Sequence, residues 1–309
     1  MRFEKGVIDG QGREAVVRWR IVVGAAAAVL VGLLASVAVA AVGIARASDQ
    51  IYTTRDASMP PAPVVTATPA AHDRSKPTAV ILLSLQGTNV ADVLAPYEVF
   101  ADTGAFNLHT VAEQRRSVPL TGGVDLIPDL SFADLEKRLP TGPDVIVVPQ
   151  LNDAGEPSAY PIVQWLQQQR RKGDPLLVSV CVGAEVLASA GLLDGRPATS
   201  HWLGLIGLRR SYPSVQWQDG VRYVDDGDVI TSAGVLSGVD ATLRVAERML
   251  GPTPAQRAAV DVAWPDYSPG VPAPIPLSKP AAADAVGLLS GAYRWDRAKD
   301  GGAGYRWHR

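Results

Sequence analysis

The stretch that decides the fold is residues 176–202, LLVSVCVGAEVLASAGLLDGRPATSHW. It opens with an apolar run at 176–180, whose β-branched residues are typical of a buried strand. Cys181, the only cysteine in the sequence, comes next, and good helix formers occupy 184–190. Gly191 is the expected helix stop, because glycine adopts the left-handed conformation without steric cost. The stretch therefore predicts a strand, a sharp turn at Cys181 and a helix.

Cys181 is the candidate nucleophile that this turn would present. A side chain at a strand-to-helix turn projects into a crevice at the carboxyl edge of a sheet. The following helix would offer its N-terminus to the thiol, which predicts a stabilised thiolate and a pKa below that of a free thiol. The pattern also leaves open a small buried thiol that fills core space.

Strands alternate with helices on both sides of this stretch, which predicts an α/β fold with a mostly parallel sheet covered on both faces. The predicted strands are 79–85, 107–112, 145–148, 176–180, 215–217, 222–224 and 229–232, and the predicted helices are 89–103, 162–172, 184–190, 201–210 and 235–250.

Three groups of motifs resemble the ThiJ/PfpI family. They are CVGA, AGLLDG and ATSHW within 181–202, GTNVAD and PYEVF within 87–100, and YVDDG and TSAG within 223–234. The resemblance covers about residues 78–250 and is closest to the isonitrile hydratase branch and to the sensor domains of AraC-type regulators. It implies a flavodoxin-like three-layer sandwich, a small-molecule substrate or ligand, and a homodimer.

The resemblance also assigns roles beside Cys181. An acid at the position of Asp92 reaches the elbow cysteine in this family and serves as general acid/base in the hydratase branch, and a histidine near His201 lines the cysteine pocket. The plainer interpretations are a solvated or helix-capping carboxylate at Asp92 and a structural histidine at His201. Thr199 and Ser200 are expected to cap the helix that His201 begins.

Two departures from the family pattern weaken the case for an enzyme. Gln150 and Leu151 stand where the family has two glycines, whose amides help to form the oxyanion pocket, so the amides here are expected to point elsewhere. Val182 replaces the threonine of the hydratase branch and the histidine of the peptidase branch, while Gly183 is kept. These four residues are the expected lining of the pocket.

The N-terminal part predicts a membrane anchor. Residues 21–44 are apolar without a single charge and long enough to cross a bilayer. Arg18 and Arg20 precede them, which favours a cytoplasmic segment at 1–20 and an extracytoplasmic remainder. A cleaved signal peptide is the alternative, although its apolar region is usually shorter. A Pro-rich linker is expected at 45–77, the ThiJ/PfpI-like domain at 78–251, and a Pro-rich, partly disordered tail at 252–309.

Composition limits the partners. The net charge is −2, which gives no electrostatic reason to expect nucleic acid. The related regulators continue into helix-turn-helix units, whereas the Pro-broken tail here is not expected to form them. One cysteine excludes an internal disulfide, and His72, His109, His201 and His308 lack metal-ligand spacing, so neither metal nor cofactor is expected.

Two functions remain open on the sequence. The first is a membrane-anchored, extracytoplasmic hydratase or hydrolase that uses Cys181 and Asp92 on a small electrophile. The second is a ligand- or redox-sensing module without catalysis, which the departures at Gln150, Leu151 and Val182 favour.

Overall fold

The computed structural model describes residues 10–52, 71–264, 267–270, 294–297 and 305–308. The chain divides into two compact units, Met1–Asp49 and Gln50–Arg309.

The first unit is built on one long helix, α1 (Gly10–Tyr52). Residues Arg18–Val42 of this helix are long and apolar enough to span a membrane, although a signal sequence near the N-terminus would have the same properties. The large apolar side chains of this segment are exposed, with Val39 73% and Ile21 65% accessible. The helix is longer than the 24 residues predicted from the apolar run, and it extends into the predicted linker.

The second unit contains a seven-stranded sheet. Its strands are β1 (Thr78–Leu82), β2 (Asn107–Ala112), β5 (Leu130–Ser131), β6 (Val145–Val148), β7 (Leu176–Ser179), β10 (Tyr223–Asp225) and β11 (Val229–Ser232). Two-residue strands β3 (Val118–Pro119), β4 (Asp125–Leu126), β8 (Pro197–Ala198) and β9 (Gln216–Trp217), and the pair β12 (Arg294–Arg297) and β13 (Tyr305–His308), lie outside this sheet.

The strand order is β10-β11-β7-β6-β1-β2-β5, and every pairing is parallel except that of β10 with β11. The five central strands follow the flavodoxin-like order 2-1-3-4-5. The order of connection reverses between β1 and β6, which creates a crevice at the carboxyl ends of these strands. The predicted mostly parallel α/β sheet is confirmed.

Helices cover both faces of the sheet. They are α2 (Val90–Thr103), α3 (Phe132–Arg138), α4 (Tyr160–Gly173, preceded by a 3-10 turn at Pro157–Ala159), α5 (Gly183–Ser189), α6 (Trp202–Ser211), α7 (Ser237–Leu250) and α8 (Pro252–Asp261). Successive residues of β1 point to opposite faces, as strand geometry requires. Val80 packs with α4 and α5, and Ile81 packs with α2 and α7.

Residues beyond Gly251, assigned to the tail from the sequence, begin with helix α8. Its prolines Pro252 and Pro254 lie in the first turn, where a backbone N–H needs no helical partner. Ala255, Ala258 and Ala259 are buried against α2 and α7 at helical spacing. A high proline content therefore does not exclude a short helix when the prolines lie in its first turn.

The last residues of the predicted linker are also held in place. The side chain of Asn107 on β2 accepts a hydrogen bond from the Asp73 amide at 2.8 Å and donates one to the Asp73 carbonyl at 2.7 Å. The ordered domain therefore includes residues just before β1.

Candidate active site

Cys181 occupies a strained turn between β7 and α5. Its φ is +58°, in the left-handed region that costs a non-glycine residue about 1–2 kcal/mol. Two residues later, a Cβ added at Gly183 would lie 2.1 Å from the carbonyl oxygen of Val148. Only glycine allows α5 to start this close to the end of β6. The sequence prediction of a strand, a turn at the cysteine and a helix is correct.

Asp92 lies in the first turn of α2, whose N-cap is Asn89. The Asn89 side chain accepts hydrogen bonds from Ala91 N at 3.0 Å and Asp92 N at 3.3 Å. Asp92 Oδ2 accepts the Gln150 amide at 3.0 Å, whereas its buried Oδ1 has no hydrogen-bond partner within the described residues. Asp92 is fully buried, and burial raises its pKa to about 7 against the opposing effect of the Gln150 amide. A carboxyl group with this pKa can both donate and accept a proton near neutral pH.

Cys181 is 1% exposed, and the charge of Asp92 acts on its thiol. Burial, and secondly the negative charge of Asp92, raise the pKa of the Cys181 thiol well above its ordinary value, while the backbone amide of Val182 acts in the opposite direction. The expectation of a lowered thiol pKa is therefore wrong for this conformation. The seven-residue helix α5 offers too little stabilisation to offset the loss of water.

The segment after β6 supplies Asp92 rather than the thiol with an amide. Gln150 N donates to Asp92 Oδ2, and Asn152 N donates to the Gly87 carbonyl at 3.0 Å. Leu151 is 1% exposed and belongs to the hydrophobic core. Of the two residues that stand in place of the glycine pair, Gln150 thus directs its amide to the carboxyl group of Asp92.

Val182 fills the space between α5 and α6. A Cβ added at Gly204 would lie 2.5 Å from Val182 Cγ1, so this side chain packs directly against the α6 backbone. Valine has a methyl group where the threonine of the hydratase branch has a hydroxyl, so the residue after Cys181 offers no side-chain hydrogen bond here.

His201 is the N-cap of α6, and its Nδ1 accepts the Leu203 amide at 3.3 Å. The capping residue is thus His201 itself, not Thr199 or Ser200. Burial lowers the pKa of His201 to about 4, so the imidazole is neutral at physiological pH. His201 lines a cavity of about 400 Å³ whose walls include neither Cys181 nor Asp92. Ser200 links the cavity to the turn at Cys181, because it lines the cavity and its Oγ donates to the Cys181 carbonyl at 2.9 Å.

Glu185 is a buried acid that the sequence analysis missed. It is 2% exposed, and its Oε1 has no hydrogen-bond partner within the described residues. Burial, and secondly the charge of Glu156, raise the pKa of Glu185 well above its ordinary value. A glutamate among the apolar residues of α5 was the available signal. Within the described residues, no group of three or more His, Cys, Asp or Glu side chains is arranged to hold a metal ion.

An α/β sandwich with a cysteine at a strained strand-to-helix turn and a buried acid at the switch in strand order defines a nucleophile-elbow protein. The family model of the DJ-1/PfpI family matches residues 78–248. This chain therefore belongs to the DJ-1/PfpI family.

Curated relatives include an enzyme and transcription regulators. The chain is 31% identical over 183 residues to isonitrile hydratase of Pseudomonas putida, which covers 59% of this chain and 75% of that protein. It is 40% identical over 91 residues to the HTH-type transcriptional regulator CdhR of Pseudomonas aeruginosa, covering 29% of this chain and only 26% of that regulator.

Solved structures show the same fold. A ThiJ/PfpI family protein from Pseudomonas syringae superposes with a TM-score of 0.58 at 23% identity, covering 71% of this chain and 87% of that one. An AraC family transcriptional regulator from Pseudomonas putida gives a TM-score of 0.51 at 20% identity, covering 60% of this chain and 99% of that one.

Proposed function

We propose that this domain adds water to a small electrophile of the isonitrile type, with Cys181 as nucleophile and Asp92 as general acid/base. One observation carries the proposal: a buried carboxyl oxygen, Asp92 Oδ1, has no hydrogen-bond partner in the described structure, and the charge of the same carboxyl group acts on the thiol at the strained turn. A pKa of about 7 allows this carboxyl group to exchange a proton in each half of a reaction.

The proposed reaction has two stages. The sulfur of Cys181 bonds to the terminal carbon of the isonitrile, and the proton shared by thiol and Asp92 moves to the same carbon, which gives a thioimidate. Water then adds to this carbon, and Asp92 accepts one of its protons and passes it to the nitrogen. The carbon–sulfur bond breaks, Asp92 carries the proton of the new hydroxyl group to the sulfur, and an N-substituted formamide leaves. The net change is isonitrile plus water to formamide.

The amide arrangement favours this chemistry over the hydrolysis of amides or esters. Acyl transfer needs donors aimed at an oxyanion, and losing one such donor costs about 10²–10³ in rate. Here the Gln150 amide is occupied by Asp92 and the Asn152 amide by Gly87. Attack on an isonitrile forms no oxyanion in its first stage, because the developing charge is on carbon and is neutralised by the proton from Asp92.

The burial of the thiol limits the substrate. With Cys181 1% exposed and Asp92 fully buried, a compact reacting group is required, and side chains over the thiol must move to admit it. The narrow, linear isonitrile group meets this requirement.

We also propose that the domain is held outside the cytoplasm by α1. The exposed apolar side chains of Arg18–Val42 support a membrane span, and Arg18 and Arg20 at its start support a cytoplasmic N-terminus. A homodimer in the membrane is proposed from the family resemblance. Analytical ultracentrifugation of the detergent-solubilised full chain tests the dimer, and protease protection of residues after α1 in sealed vesicles tests the topology.

A non-catalytic sensor is the second candidate. The raised pKa of the closed-off thiol and the partial match to a transcription regulator favour it. A sensor would bind its ligand without turnover.

The experiment is formamide production from cyclohexyl isocyanide by the purified full chain. Cys181→Ser should abolish turnover, and Asp92→Asn should reduce it by about 10²–10⁴-fold, the usual contribution of a general acid/base. Asp102→Asn, the same change at an exposed site of α2, should leave the rate unchanged. Absence of turnover by a folded wild-type protein would favour the sensor.

A further inference from the structure

A cavity of about 400 Å³ lies beside the candidate active site, between the starts of α6 and α7 and the residues that follow α8. Its volume falls within the range of about 300–1,000 Å³ typical of small-molecule sites. Neither the thiol of Cys181 nor Asp92 lines it, so the proposed chemistry does not account for it. The charged, polar and large apolar side chains that line the cavity are those of His201, Trp202, Asp219, Arg222, Leu236 and Trp264.

One wall comes from the segment after α8, outside the residues matched by the family model. Helix α8 ends in a Schellman motif, in which Ala263 N donates to Val260 O at 3.0 Å and Trp264 N donates to Ala259 O at 2.7 Å. Ala263 has φ +53°, a conformation that usually requires glycine. This turn brings Trp264 back over the domain and onto the cavity.

Trp264 and Asp240 hold Arg222 in position. The Arg222 Nη1 donates to Asp240 Oδ2 at 2.9 Å, and Trp264 Nε1 donates to Asp240 Oδ1 at 3.2 Å. The guanidinium carbon lies 5.3 Å from the centre of the Trp264 ring. Within the described part of the chain the Arg222 side chain makes no other hydrogen bond, ion pair or ring contact, so the edge formed by its Nε and Nη2 has no protein partner. That edge offers the two parallel N–H groups that bind a carboxylate in bidentate fashion.

The charges around the cavity favour a monoanion over a dianion. Asp219 is paired with Arg209 at 2.6 Å, and Arg222 is paired with the buried Asp240. The walls therefore carry equal numbers of opposite charges, and His201 is neutral. A monoanion can use the free edge of Arg222, whereas a dianion such as phosphate would be repelled by the two aspartates.

Apolar surface makes up much of the remaining wall. Trp202 is 45% exposed and Leu236 is 53% exposed although both border a concave site, and Trp264 also lines it. Exposed aromatic and aliphatic side chains that converge on a cavity are typical of sites for ligands with an apolar body.

We propose that this cavity binds a small monocarboxylic acid with an apolar body, its carboxylate on the free edge of Arg222 and its body between Trp202 and Trp264. The site goes beyond the proposed hydration chemistry and does not depend on it.

Isothermal titration calorimetry of the full chain in detergent tests the proposal, with phenylacetate as the probe and phenylacetamide, which lacks the charge, as its control. We expect phenylacetate to bind and phenylacetamide to bind at least about tenfold more weakly. Arg222→Lys keeps the charge but loses the two-pronged edge, and it should weaken phenylacetate binding by a similar factor. Arg210→Lys, at an exposed site of α6, should have no effect.

Two further variants complete the test. Trp264→Leu keeps Arg222 and its charge, and it should still weaken the binding of phenylacetate. If Arg222→Lys does not fold, the affinity of Trp264→Leu for phenylacetate provides the test. Cys181→Ser should bind phenylacetate as the wild type does while losing turnover, which separates this site from the proposed function. Equal binding of acid and amide, no binding of the acid at millimolar concentration, or loss of binding in Cys181→Ser would overturn the proposal.

Discussion

Replacing Asp92 with asparagine should remove a loss of stability that the domain otherwise shows as the pH rises towards neutrality. Burial raises the pKa of Asp92 to about 7, from an ordinary value of about 3.9. Between these two values the folded state binds more protons than the unfolded state, so the free energy of unfolding falls as pH rises. A shift of about 3 units at about 1.4 kcal/mol per unit amounts to a loss of about 4 kcal/mol by neutral pH and above.

Asparagine carries no charge at any pH and can still accept the Gln150 amide through its oxygen. Near pH 4 the variant should therefore lie within about 1 kcal/mol of the wild type. Near pH 8 it should be more stable by about 3 kcal/mol or more, because it avoids a buried charge. The shifted groups at Glu185 and His201 are common to both proteins and cancel in the difference.

Urea unfolding of the detergent-solubilised full chain, followed by tryptophan fluorescence at several pH values between about 4 and 8, measures this difference. Asp102→Asn is the matched control and should give a difference that does not change with pH. A constant difference for Asp92→Asn as well would mean that Asp92 titrates normally, and the reasoning from its burial would be refuted.

Three further predictions concern the frame of the site. His201→Asn keeps an N-cap residue but removes a neutral imidazole whose pKa is lowered to about 4, so the stability of the wild type relative to the variant should fall by up to about 3 kcal/mol as the pH is lowered from about 6.5 to 4, as urea unfolding of both proteins would show. Gly183→Ala places a Cβ 2.1 Å from Val148 O, and its unfolding free energy should fall by about 3 kcal/mol or more, whereas Gly195→Ala, with nothing within 4 Å of its Cβ, should lose only about 1–2 kcal/mol. Ala263→Gly relieves a left-handed alanine and should stabilise the domain by about 1 kcal/mol in the same assay, and a loss of stability would contradict the C-cap described for α8.

The sheet could be predicted because its strands are continuous apolar runs. Val145–Val148 and Val229–Ser232 were predicted with the bounds that the structure shows, since both are buried on both faces and end at polar or proline residues. The elbow at Cys181 could be predicted for a related reason: an apolar run, a small glycine two residues later and helix formers leave few other local structures. Asn89 as the cap of α2 follows from its side-chain chemistry.

The protonation of the site could not be predicted, because it depends on burial by residues far apart in sequence. Asp92 has a high pKa because folding buries it completely, and burial together with the charge of Asp92 raises the pKa of Cys181 instead of lowering it. Helix α8 was missed for a different reason, because counting prolines ignores that a first turn accepts them. The arrangement of Arg222, Asp240 and Trp264 likewise arises only in three dimensions.

The central claim is that Cys181 forms a covalent bond to an isonitrile carbon with Asp92 as the proton donor. Intact-mass and peptide mass spectrometry of acid-quenched full chain, after incubation with cyclohexyl isocyanide, tests it directly, since the chain has a single cysteine. We predict a mass increase of one isonitrile on the peptide that contains Cys181, present in the wild type during turnover and absent in Cys181→Ser. An unmodified Cys181 in a folded protein exposed to excess isonitrile would contradict the account.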